Sequence, residues 1–134
     1  MAIAQTKAAE VMQAQIEQLT SHQVISLLMD GAVERASGVI AAIHAGNEEN
    51  RILLATKLKA IINGLRESLD FKLGGAVAEN LAALYDYMIG RLVATMNDSE
   101  EQLEAVSEAR RLISEVKNGW DNMDLRVPAM ASSV

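Results

Sequence analysis

The chain has 134 residues, a net charge of −6, half of its residues hydrophobic but only 3% aromatic, no cysteine and one proline. That length suits a single domain able to bury its own core. The missing cysteines exclude a disulfide framework, a thiol nucleophile and thiolate zinc sites, and the acidic balance argues against a general phosphate-binding role.

Leu, Ile, Ala and Met dominate the apolar set, a mixture that favours helices over sheets. The N-terminus, MAIAQTKAAE, lacks a basic start followed by an apolar run, so no signal peptide is expected. No uncharged apolar run reaches the ~18 residues of a membrane span. A cytoplasmic location without membrane insertion is the expectation.

In chain order, residues 4–18 form a helical arm with Ala8, Val11 or Met12, Ile16 and Leu19 along one side. Thr20 and Gln23 then make a capping-box pattern, with Leu19 and Val24 placed as the hydrophobic staple. A helix is expected over residues 21–44, ended by Gly46 in the left-handed conformation. Asn47 caps the second helix, and Glu48 and Glu49 suit its positive dipole end. Leu54, Leu58, Ile61, Leu65 and Leu69 supply its apolar stripe. Gly74 and Gly75 are expected to end this helix and reverse the chain. A third helix runs to about Met96, and Asp98–Glu101 or Ser99–Gln102 caps a fourth. Leu103, Val106, Ile113, Val116 and Trp120 carry the face of that fourth helix. Short links between helices of ~22 residues predict antiparallel neighbours. The fold class is therefore all-α, an up-down-up-down four-helix bundle over residues 19–123, with an arm at 1–18 and a frayed tail at 124–134.

Nothing in this pattern points to an enzyme, a metal or a cofactor. His22 and His44 stand at opposite ends of one helix and read as surface or capping residues. No glutamate lies three residues before either histidine, as the ferritin-like di-iron bundles require. KLGGAV has neither the glycine spacing nor the Lys-Ser/Thr ending of a phosphate loop. Glu100, Glu101, Glu104 and Glu108 read as a solvated face.

The helical wheels are more informative. On the third helix Leu84, Val77, Met88, Leu81, Leu92, Tyr85, Met96, Ile89 and Val93 fill roughly half the circumference, against the ~100° of an ordinary surface helix. Tyr87 lies outside that arc, on an edge shared with Asn80 and Arg91. The first helix is equally broad, and Gly31 and Gly38 sit beside its arc on a strip that includes Leu27. Each interior glycine costs ~1 kcal/mol against alanine, so two on one strip suggest a close approach to the backbone. The approaching element is either a neighbouring helix of the bundle or a foreign amphipathic helix seated in a groove.

Residues 68–92, SLDFKLGGAVAENLAALYDYMIGRL, combine a Ser-Leu-Asp, a glycine pair, an Ala-x-Asn-Leu and a Leu-Tyr-x-Tyr followed by Arg-Leu. This segment resembles the signature of the flagellin-specific export chaperones, the FliS family. Asp30-Gly31-Ala32 and VKNGWDNM resemble the family's first and closing helices, so the likeness extends over roughly residues 8–123. It implies a four-helix chaperone that binds the disordered C-terminal region of flagellin in the cytoplasm. It further implies that the chaperone blocks premature polymerisation and delivers its client to the flagellar type III export gate. Leu27, Met29, Gly31, Asn80, Leu84, Tyr87 and Arg91 are the expected client contacts, with Asn80 organising the edge and Trp120 favoured as core. Three positions depart from the family pattern: Val11 and Met29 where tyrosines are common, and Ser21 where proline is common. Two alternatives stand beside this reading, a structural helical homo-oligomer such as a homodimer, and a divergent member with another client.

Overall fold

The computed structural model describes residues 20–123. The expected arm, the Leu19 half of the staple and the tail lie outside the described residues.

Helix α1, Ser21–Ala45, starts where Thr20 leaves the extended region. The Thr20 hydroxyl accepts from the Gln23 amide at 3.1 Å, and the Gln23 side chain accepts from the Thr20 amide at 2.9 Å, which closes the capping box. Gly46, at φ 69°, returns its N–H to the Ala42 and Ile43 carbonyls and ends the helix. Helix α2, Glu48–Glu67, is capped by Asn47 through the Asn50 amide at 3.1 Å. Helix α4, Ser99–Asp121, is capped by Asp98, which accepts from the Glu101 amide at 3.0 Å. Of the two boxes considered there, the chain uses Asp98, and Gln102 turns into the core.

The link between α2 and α3 differs from the expectation. Helix α2 stops at Glu67, well before the glycine pair, and α3 spans Phe71–Ala94. Asp70 decides this, because its carboxylate accepts from the Lys72 and Leu73 amides and starts a new helix at once. The glycines act later. Gly75 adopts φ 52°, ψ −127°, a conformation side chains rarely tolerate, and bends α3 between a first turn at 71–74 and the long segment 76–94.

Each helix packs on two others in the order α1–α2–α3–α4, so α1 lies diagonal to α3. The α3–α4 seam is the most sparsely packed of the four. Met29, Val39, Leu58, Ile62, Leu65, Tyr85, Met88, Leu92, Val106, Ile113 and Trp120 fill the core. Each Leu-sized side chain there contributes about 1.5–3 kcal/mol of transfer free energy. Burial pushes the Tyr85 phenol up to about 12, so it stays neutral. Ala32, Ala36, Ala55 and Ala109 hold the helices close. The glycine strip does the same on α1. A Cβ at Gly38 would lie 2.8 Å from Leu54 Cδ1, and one at Gly31 would lie 3.6 Å from Ile61 Cδ1. Both glycines therefore face α2, a neighbouring helix of the bundle.

Two polar ties fasten the ends. Arg51 is 2% exposed. It donates to the Met96 carbonyl at 3.0 Å, to the Gln102 side chain, and to both Glu48 oxygens at 3.0 and 2.8 Å, joining α2 to the α3–α4 link. His22 is buried rather than a surface cap. Its ring stacks on Trp120 at 4.7 Å, and its Nε2 lies 2.6 Å from the Trp120 carbonyl. The Trp120 indole donates to the His22 carbonyl at 2.9 Å, so the pair locks the start of α1 to the end of α4. His44 is exposed in the last turn of α1, where a base suits the dipole.

Candidate functional site

The seam between α3 and α4 holds four of the seven expected contact residues. Asn80, Leu84, Tyr87 and Arg91 recur at i, i+4, i+7 and i+11 and form one strip along α3. Asn80 is exposed and Leu84 half-buried. Tyr87 keeps 49% of its surface open to solvent. Arg91 reaches across to α4, with Nη1 3.1 Å from the Glu108 Oε1. The Tyr87 hydroxyl, with Arg91 behind it, holds the Glu108 carboxyl below its usual range. The same carboxylate raises the Arg91 guanidinium. Glu108 thus bridges the seam and is no simple member of a solvated face, unlike the exposed Glu100, Glu101 and Glu104.

Beside this polar bridge the seam opens into an apolar cavity of about 250 Å³. Val77 and Leu81 of α3 line one wall, and Val116, Gly119 and Trp120 line the other, with Met123 at the end and Glu115 at the rim. Trp120 therefore serves the core and the cavity together. At Gly119 a Cβ would meet nothing within 4 Å, so the glycine leaves open space. Val77 is half-exposed, and Phe71 and Leu73 in the first turn of α3 keep 47% and 57% of their surfaces open. The wheel already placed Val77 and Leu81 on the broad arc. It could not separate cavity wall from core, because that depends on how far α4 stands from α3.

The other three expected contacts do not join this strip. Leu27 is 56% exposed, but it sits on α1 beside Gly31, diagonal to α3. Met29 has no exposed surface and is core. Gly31 is turned to Ile61 of α2. Phe71 and Leu73 were missed, because the expected helix end at the glycine pair left them inside α2. The seam combines an apolar cavity with a charged bridge toward the end of α3, and exposed apolar side chains stand in the first turn of that helix. Among the described residues, no helix is long and apolar enough to cross a membrane.

The family profile described as flagellar protein FliS matches residues 3–127. The flagellar secretion chaperone FliSB of Pseudomonas aeruginosa is 39% identical over 111 residues, 83% of this chain and 86% of that protein. The flagellar secretion chaperone FliS of Vibrio cholerae is 30% identical over 109 residues, 81% and 79% of the two chains. That of Salmonella typhimurium is 34% identical over 100 residues, 74% and 73%.

Proposed function

The chain belongs to the FliS family of flagellar proteins, and from that membership we propose that it is a cytoplasmic export chaperone. Its client is the disordered C-terminal segment of flagellin, which it masks against premature polymerisation and delivers to the flagellar type III export apparatus. The observation that carries the reading is the open apolar seam between α3 and α4, with its cavity and its half-exposed Val77 and Tyr87.

A segment that must pack into a filament is apolar and adhesive when free. The seam offers it equivalent apolar surface before assembly. Each Leu-sized anchor buried there contributes about 1.5–3 kcal/mol, while ordering the segment costs about 2–5 kcal/mol or more. A handful of anchors gives net binding that is still reversible, as release at the export gate requires. Asn80, Leu84, Tyr87 and Arg91 line the polar edge of this surface, and Leu27 is left as a separate exposed contact on α1.

Calorimetry with two clients tests this. Full-length flagellin should bind, and flagellin trimmed of its C-terminal segment should not. Equal binding of both forms would place the contact elsewhere on the client, and no binding of either would end the proposal.

A further inference from the structure

We propose that the 71–74 turn of α3 is a clasp, hinged at Gly75, that folds over the client helix in the α3–α4 seam. The inference rests on the reading of that seam as the client groove and assigns Phe71 and Leu73 to it. Four observations point the same way.

The turn is built as a unit of its own. Asp70 caps it through two amides, and the Gly74 N–H returns to the Asp70 carbonyl at 2.7 Å. It is joined to the rest of α3 through a single non-helical residue, Gly75. A Cβ at Gly75 would meet nothing within 4 Å, so the space beside the bend is open. The bend is also set at a φ and ψ that only glycine visits freely, which makes it the residue able to absorb a change of direction.

The large apolar side chains of this unit take no part in the bundle's core. Phe71 and Leu73 stand about half or more exposed and lie outside the core cluster. Together with the half-exposed Val77 they leave a run of large apolar side chains open at the start of α3, the kind of surface that a partner covers. Their position matters too: Val77, two residues beyond the hinge, is the first residue of the cavity wall. The clasp therefore continues the groove. A helix lying along Val77, Leu81 and Val116 would pass beneath Phe71 and Leu73 as the turn swings inward.

The test compares the protein with its Phe71→Ser/Leu73→Ser variant for binding of a flagellin C-terminal peptide by calorimetry and stopped-flow. Both side chains are exposed, so the variant should melt as the parent does. Its affinity should fall by about tenfold or more, through faster dissociation. A parent that binds and a variant that binds equally well would overturn the clasp and leave the groove intact. A parent that does not bind the peptide would overturn both.

A second measurement reads the hinge itself. The chain has no cysteine, so spin labels at Lys72→Cys and Ser114→Cys report one distance. That distance should shorten and narrow when peptide is added. An unchanged distribution in the bound protein would overturn the clasp.

Discussion

Alanine at Gly31 and alanine at Gly38 should move stability in different directions, although both sit on one strip of α1. Either substitution improves helix propensity by about 1 kcal/mol. At Gly31 the new methyl meets Ile61 Cδ1 at 3.6 Å, an ordinary contact, so the gain is kept. For a domain of this size it should raise the melting temperature by about 3–5 °C. At Gly38 the methyl would stand 2.8 Å from Leu54 Cδ1. Leu54 must give by about 0.6 Å to reach a tight but tolerable contact, and forcing a packed side chain off its site costs about 1–3 kcal/mol. The net effect runs from about zero to a loss of ~2 kcal/mol. Removing the obstruction with Leu54→Ala in the Gly38→Ala background should recover the propensity gain, seen as a coupling of about 0.5–3 kcal/mol in the double-mutant cycle. Urea and thermal melts followed by circular dichroism, with unchanged m-values, provide the assay. Equal stabilisation by both alanines, with no coupling to Leu54, would mean that the strip does not pack on α2. The strip would then be open surface, and the separation of Gly31 from the proposed client groove would fall with it.

Two further outcomes are expected. Arg51→Met should destabilise the fold by about 3 kcal/mol, because the Gln102 oxygen and the Met96 carbonyl lose their buried donor. The Arg51→Met/Gln102→Leu pair should recover part of that loss in the same melts, since it removes the unsatisfied Gln102 oxygen while the Met96 carbonyl still lacks its donor. The pH dependence follows from Glu48, Asp86, Glu108 and Asp121, all held below their ordinary values, chiefly by hydrogen bonds to Arg51, Arg66, Tyr87 and Lys117 respectively. A carboxyl lowered by folding adds stability that is fully present above its unfolded value and is lost as pH falls through the folded one. Melting temperature should therefore be flat near neutrality, begin to fall as pH approaches the ordinary values of 4.5 for Glu and 3.8 for Asp, and keep falling below them. A fall centred above pH 6 would assign the acid sensitivity to other groups.

The sequence by itself determined what depends on a few neighbouring residues. Thr20 with Gln23, Asn47, Asp98 and the left-handed Gly46 all act where the pattern places them, because a cap is a contact within one turn. The buried faces followed from helical period, and with short links they dictated the antiparallel bundle. The tertiary structure decided which partner each face meets. Gly31 and Gly38 announce a close approach, but only the position of α2 shows that Leu54 and Ile61 make it. His22 carries no mark of burial until Trp120, almost a hundred residues later, closes over its ring. Arg51 looks like a surface i,i+3 partner of Glu48 until the α3–α4 link brings Met96 and Gln102 onto its guanidinium. Asp70 outranked the glycine pair because its carboxylate had two amides to take immediately, and that local competition moved Phe71 and Leu73 from one helix to the next. The seam was the least legible feature. Side chains at helical spacing look the same whether the facing helix closes on them or stands off, and the distance between α3 and α4 is set by the packing of all four helices together.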